Sequence, residues 1–348
     1  MRQVFLALAL LMTAAPWSAV AAGWQEVVLS VSDLNRTDMF FRRVGGWVSA
    51  GSGRLDRAEL ALWNVPEGVT ARYVLLRSAG ENAGLVRLIE FSDARQLAPL
   101  RDAARTWEAG GVSGINVRIG SIDGLLPAFR RGGWQGHGQP VKFTLQEFTV
   151  VEVMLTQADG ITLTPIERVT PPLTGWGFGN GFSKPFNAFE VVADFDRSMR
   201  FYEEGLGMRT VRDEAGPLGP TGPNIFGLPH EMPPRVERRL RWLHPDGPGA
   251  RDGTIAVMAF SGLSGSFHAK VPRVHALGIV GLRMPVADAP AMARRLGELG
   301  YSTASAPRVL RIRPYGLVCA FSVISPDGAW WDIFSPSGQS TKTACRAP

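Results

Sequence analysis

A strand that runs into an Asp and then into a short amphipathic helix occurs four times, and this recurrence limits the fold more than any other feature. The clearest copy is residues 187–208. Phe189, Val191 and Ala193 alternate with Glu190, Val192 and Asp194, which suits a strand with one packed face. Phe195, Met199, Phe201, Tyr202 and Leu206 then follow helical spacing, and Gly205 and Gly207 mark the exit. The other copies open at 26–33, 114–123 and 276–288.

Strand-like runs follow each copy. In the first, a helix over 34–44 with Thr37 or Asn35 as its cap precedes strands over 58–63, 71–77 and 85–91. The second predicts a helix over 124–131 and strands over 141–143, 147–155 and 161–167. The third carries a long Gly/Pro-rich insertion, enough to cover a cavity mouth, before strands over 236–243 and 254–260. The fourth predicts a helix over 289–299 and strands over 308–313, 317–324 and 329–334. A βαβββ unit of this size cannot bury its apolar face alone, so units must pair.

The predicted class is therefore α+β, with four βαβββ units paired into two U-shaped, partly open mixed-sheet barrels. Chain order pairs the first unit with the second and the third with the fourth. The domains would run over 23–168 and 185–336, joined by a Pro/Gly-rich connector at 169–184 and followed by a tail at 337–348. Trp176, Phe178 and Phe182 could dock the connector on a surface.

Residues 1–22 stand apart. Arg2, an apolar run over 4–15 and Ala19-Val20-Ala21 form a secretory signal pattern, with processing after Ala21 or Ala22 and a periplasmic or secreted product. Pro16 and the polar residues after it argue against a membrane anchor. Losing Arg2 takes the formal charge from +6 to about +5, and the basic residues are dispersed. That favours solubility over nucleic-acid binding and leaves room for a groove that takes an anion. Cys319 and Cys345 could pair in an oxidising compartment, or Cys319 could be a buried small hydrophobe.

The four units resemble the vicinal oxygen chelate superfamily, also called the glyoxalase, bleomycin-resistance and extradiol-dioxygenase group. Residues 187–208 carry its strand-Asp-x-x-x-Ser-x-x-Phe-Tyr-x-x-x-Leu-Gly pattern, and Ser325-Pro-Asp-Gly-Ala-Trp-Trp-Asp332 resembles its final hairpin. The resemblance implies a cavity in each paired sheet and, in active members, a divalent metal. Its ligands would lie seven residues before each Asp and on the last strand of each unit. Those positions carry Glu26, Asn116, Asn187 and Gly281, then Glu90, Thr164, Ala259 and Asp332. His is absent from all of them. Glu26, Glu90 and Asn116, with Thr164, are the candidate metal ligands, and as oxygen donors they suit Mg, Mn or Ca better than Fe or Zn.

Glu26 and Glu90 also read as a catalytic acid/base pair if they face one another, because mutual repulsion raises one carboxyl's pKa. Period two places Leu88 on the face of Glu90 and turns Arg87 away, so Arg87 is not expected to partner the pair. Arg118 shares a face with Asn116 and could bind an anionic substrate. His137, within Gly136-His-Gly138, is a candidate base or an exposed turn residue. Asn187, Arg283, Tyr315 and Trp330 are further candidate substrate contacts, with Phe334 beside Asp332 on an aromatic face. No phosphate-loop or Gly-x-Ser-x-Gly pattern is present. The functional expectation is lyase, isomerase or dioxygenase-like chemistry on an organic acid or aromatic metabolite in the first pair's cavity. Its rival is an inactive protein that sequesters a small ligand. A homodimer with swapped units is compatible with either.

Overall fold

The computed structural model describes residues 23–93, 97–145, 147–177, 179, 181–268, 273–336 and 345. The signal pattern, Phe178 and most of the tail lie outside these residues.

The first unit comprises β1 (Glu26–Ser30), α1 (Leu34–Arg43), β2 (Val48–Arg54), α2 (Arg57–Leu62), β3 (Ala71–Arg77) and β4 (Leu85–Phe91). The second has β5 (Val112–Ile119), α3 (Ile122–Arg131), β6 (Gln135–Gly136), β7 (Val141–Leu145), β8 (Phe148–Glu152), β9 (Leu155–Thr156) and β10 (Thr162–Thr170). The third has β11 (Asn187–Val191), α4 (Phe195–Met199) running into a π-helical turn (Arg200–Gly205), β12 (Arg209–Pro217), β13 (Glu237–His244) and β14 (Thr254–Ser261). The fourth has β15 (Gly278–Pro285), α5 (Ala289–Glu298), β16 (Arg308–Ile312), β17 (Gly316–Ile324) and β18 (Trp330–Pro336).

The recurring Asp has a local cause. Asp33, Asp194 and Asp288 each accept a hydrogen bond from the backbone N–H three residues on and so cap their helices. Asp33, and not Thr37 or Asn35, is therefore the cap of α1. In the second unit Ser121 takes this role, bonding the N–H of Gly124.

The expected pairing of units is corrected. Among the described residues, one sheet has the order β16-β17-β18-β15-β1-β4-β3-β2 and the other runs β12-β13-β14-β11-β5-β10-β8-β7. The first unit thus pairs with the fourth and the second with the third, within one chain. The joints are antiparallel: Glu26 lies opposite Arg283 in β1–β15, and Asn187 opposite Asn116 in β11–β5. An opening strand left at a sheet edge would expose unpaired backbone groups, and any other opening strand could cover them. Side chains make the choice. Glu26 meets a guanidinium across one joint. At the other, Gly114 leaves room for the Phe189 ring, whose carbons lie 2.4 Å from where a Cβ would sit.

The class is mixed α+β, as expected, but the two sheets differ. The first-and-fourth sheet curls into a half-barrel, whereas the second-and-third sheet is open and does not make a second barrel. One large apolar core joins all four units, with Phe41, Phe129, Tyr202 and Leu296 from their helical segments and Val27, Ile115, Val257 and Ile333 from both sheets.

The segment expected as a strand at 58–63 is mostly the helix α2. Asp56 caps it through the N–H of Glu59, and Ala, Glu and Leu are strong helix formers. Leu60, Leu62 and Trp63 pack with Val28, Ile89, Val280 and Phe334, so α2 fills the half-barrel.

Glu190 on β11 is fully buried where the third unit meets the final hairpin. It accepts hydrogen bonds from the Ser325 hydroxyl at 2.7 Å and from Tyr202. Burial and the nearby Asp327 raise its pKa to about 8, against the Tyr202 and Ser325 hydrogen bonds and Arg101.

Cys319 and Cys345 form a disulfide with a Cα–Cα distance of 6.1 Å. No helix among the described residues is long and apolar enough to cross a membrane.

Candidate functional site

The half-barrel interior holds a buried ionic cluster. Glu26 and Arg283 are both 0 % exposed. Arg283 donates to Glu26 Oε1 at 3.0 Å, to Glu59 Oε1 at 2.6 Å and to Asp332 Oδ2 at 3.0 Å. Arg87 donates to Glu26 at 2.6 and 3.0 Å and to the Arg313 carbonyl. Tyr315 donates to Glu26 at 3.2 Å, the Trp63 N–H to both Asp332 oxygens at 2.9 and 2.8 Å, and Ser322 to Asp332 at 2.6 Å. Burial alone would raise the pKa of Glu26, but Arg87 and Arg283 outweigh it and hold the carboxyl below its ordinary range. Burial works equally against Arg283, and Glu26, Glu59 and Asp332 reverse it. The space left beside Trp63, Gly281 and Trp330 is about 10 Å³, too little for a substrate.

Two sequence expectations about this cluster are corrected. Arg87 and Glu90 do lie on opposite faces, as period two requires, but Glu26 lies on the Arg87 side. Glu90 faces away, accepting the Leu34 N–H at 2.8 Å and a hydrogen bond from Arg72 at 2.9 Å. No acid/base or metal pair of Glu26 with Glu90 exists. Arg283 and Tyr315 are consumed by the cluster, and Trp330 is buried in the packing, so none of these three is placed to touch a substrate.

The second sheet holds the large cavity. It has two lobes, of about 650 and 600 Å³, which share Asn116, Phe143, Glu152, Asn187 and Trp242 as walls. Phe143 on β7 and Trp242 on β13 come from opposite ends of the sheet. The insertion after β12 covers the larger lobe with Leu218, Ile225 and Phe226, in the role its length suggested. Asn116 donates to Asn187 Oδ1 at 3.1 Å, and Asn187 donates to Thr254 Oγ1 at 2.7 Å. The Oδ1 of Asn116 and the Oγ1 of Thr164 are buried without a hydrogen-bond partner.

Glu152, at the end of β8, is the carboxylate common to both lobes. Burial raises its pKa to about 7 against the pull of Arg118 and Arg238. That is the range in which one side chain can both take and return a proton near neutral pH. Arg118 lines the smaller lobe, its guanidinium 4.3 Å from the Phe186 ring centre and 5.7 Å from that of Trp176. Asn116 and Arg118 share a wall as expected, whereas Asn187, expected in the other pair's cavity, joins them because the second unit pairs with the third. His137 lies apart beside Arg101, bonded to Thr156 at 2.7 Å, and burial followed by Arg101 lowers its pKa.

Residues 188–333 match the sequence profile described as "Glyoxalase/Bleomycin resistance protein/Dioxygenase superfamily". The fold is similar to that of glyoxalase I from Zea mays, at 15% identity and a TM-score of 0.57, covering 90% of this chain and 92% of that one. Residues 188–333 therefore carry this superfamily's sequence pattern, and the chain as a whole shares the fold. A putative dioxygenase from Bacillus subtilis is also similar, at 13% identity and a TM-score of 0.56, covering 92% and 87%. No curated protein matches the sequence. The profile spans the third and fourth units, and the likeness of the first two rests on fold alone.

The superfamily's metal positions can now be read from register. Asp332 is the strand partner of Arg283, two residues past Gly281, and the equivalent residue two past Glu26 pairs with Arg87. In the second sheet the same step leads to Ile166 and Ala256, not to Thr164 and Ala259. One set is then Glu26, Arg87, Gly281 and Asp332, with the Arg283 guanidinium among its carboxylates. The other is Asn116, Ile166, Asn187 and Ala256. Neither suits a divalent cation, since one already encloses two fixed cations and the other offers two amides. Gly281 cannot gain a ligand side chain either, as a Cβ would sit 2.6 Å from the Trp330 carbonyl. Among the described residues no group of three or more His, Cys, Asp or Glu could hold a metal.

Sequence reasoning missed Glu152. The available signal was a lone carboxylate inside the apolar run 150–155, VVEVML, where a charge that does not point to solvent needs a reason.

Proposed function

We propose that the cavity of the second sheet is the working site and that the protein performs proton-transfer chemistry, of the lyase or isomerase kind, on a small organic acid. The observation that carries this reading is Glu152. It is a cavity carboxyl with a pKa near 7, in reach of both lobes and without a salt bridge among the described residues. Likeness in fold to a glyoxalase I agrees with small-molecule work but does not choose the reaction. Dioxygenase chemistry is disfavoured by the donor sets at both metal positions.

The test is deuterium exchange. Purified protein incubated in D₂O with 2-hydroxy and 2-oxo acids should exchange the proton next to a carbonyl carbon, at C2 in the hydroxy acids and at C3 in the oxo acids, followed by NMR. Exchange should quicken as pH rises through about 7, where Glu152 becomes a base. Glu152→Gln should slow it by about a hundredfold with its fold intact. Exchange unchanged in that variant would remove Glu152 from the reaction. Tight binding with no exchange would instead favour sequestration, the reading that the neutral Asn116, Ile166, Asn187 and Ala256 set also suits.

We further propose export. The Cys319–Cys345 disulfide supports an oxidising destination. Intact mass should show a chain beginning at Ala22 or Gly23 with no free thiol, whereas an uncleaved chain with two titratable thiols would sink this part.

A further inference from the structure

The smaller lobe has an excess of positive charge that its own walls do not neutralise. Its lining carries Arg118, Arg168, Arg212 and Arg251 against the single carboxylate Glu152. Arg212 is held by Glu214, which faces the other lobe. Arg118 and Arg168 make no salt bridge among the described residues. Each has a buried Nε without a hydrogen-bond partner, and an unanswered polar group in the interior is costly.

These two arginines sit side by side. Arg118 on β5 pairs with Ile166 on β10, and Arg168 lies two residues further along the same face. Aromatic rings cover their flat sides, with Phe186 4.3 Å from Arg118 and Phe148 3.9 Å from Arg168. A ring over one face of each guanidinium leaves its terminal N–H groups, which bond no other described side chain, to meet a ligand. Those groups match the two oxygens of a carboxylate lying in the same plane.

The other lobe is of different character. Leu218, Phe226, Phe189, Leu240 and Met258 line it. Where the lobes meet, the 1 % exposed Thr164 and its strand partner Asn116 each hold an unpartnered oxygen beside Glu152. A ligand that satisfied every surface would have an anionic head, an oxygen-bearing middle and an apolar body.

We propose that Arg118 and Arg168 form a carboxylate receptor and that the ligand is an amphipathic oxygenated carboxylic acid. Its head lies between the two guanidiniums, its hydroxyl or carbonyl lies at Thr164 and Asn116, and its alkyl or aryl body fills the lobe under the insertion. This rests on the reading of the second-sheet cavity as the working site and names the class of compound it takes. The position of the oxygen beside Glu152 puts the reacting carbon, not the carboxylate, next to the acid/base group.

The probes are 2-hydroxy-4-phenylbutyrate, 4-phenylbutyrate and 4-phenyl-1-butanol, titrated by calorimetry into the full mature protein. The hydroxy acid should bind best, and the alcohol at least tenfold more weakly than the matched acid. Arg168→Gln and Arg118→Gln should each weaken the acids at least tenfold and leave the alcohol within twofold. Equal binding of acid and alcohol to the unaltered protein would overturn the proposal without needing a variant, as would failure of both acids to bind. Acid binding that survives both substitutions would overturn it too. Glu152→Gln separates this proposal from the proton-transfer reading. Retained acid binding with no exchange in the unaltered protein upholds the receptor and removes the chemistry, whereas exchange that needs Glu152 but ignores Arg118 and Arg168 does the reverse.

Discussion

Replacing Arg283 by Met is expected to lower the unfolding free energy at pH 7 by about 4 kcal/mol. Arg283 is the shared partner of Glu26, Glu59 and Asp332, and its removal leaves three buried carboxylates with only Arg87 as a cation. Stranded buried charge, more than a lost attraction, sets the size of the effect. The pH dependence has a definite sign. The folded-state pKa of Glu26 lies below its ordinary 4.5, so its stabilisation is present above 4.5 and is lost as pH falls through the depressed value. The gap between parent and variant should therefore be widest above that pH and narrow in acid. Urea denaturation at pH 7 and at a series of pH values well below 4.5 measures it. A gap under about 1 kcal/mol at pH 7, or one that does not change with pH, would mean that the cluster contributes little net stability.

Glu190→Gln should act in the opposite sense and mainly in alkali. The folded-state pKa of Glu190 is about 8 against an ordinary 4.5. A group raised in this way contributes stability that is complete below 4.5 and is lost as pH rises through about 8. Across that window the parent should lose on the order of 4 kcal/mol that the glutamine variant does not. Gln keeps hydrogen-bonding groups for Tyr202 and Ser325, so the variant should nearly match the parent at pH 5 and exceed it at pH 9. Thermal unfolding at both pH values decides the matter. Parallel curves for the two proteins would show that Glu190 is not held protonated by burial.

How much of this was legible in the sequence differs from element to element. The run 187–208 reads correctly because a strand's period and a helix's period are properties of neighbouring residues, and Asp194 at their junction caps the helix three residues on. The same is true of α1 and α5. The segment at 58–63 misled because a short apolar run fits a strand or a helix equally, and only Asp56 at its start distinguishes them. Arg118 and Asn116 were found on one face because alternation in β5 is local, whereas Asn187 was assigned to the other pair because its partner strand is not. Glu26 was assigned the wrong neighbours for the same reason. Its partners Arg87 and Arg283 are 61 and 257 residues away, and no period reaches across such a distance.

By itself, then, the sequence determined four strand–helix units and the turns that close them, because these rest on interactions among residues a few positions apart. Only the tertiary structure decided which opening strands would share an edge. All four present similar backbone groups, and the choice fell to the fit of Glu26 against Arg283 and of Phe189 over Gly114. With that choice came the difference between the two interiors. Helix α2 and the charged side chains of Glu26, Glu59, Arg87, Arg283 and Asp332 fill one. The other stays open around Glu152, because burying a charge depends on the whole set of groups that surround it.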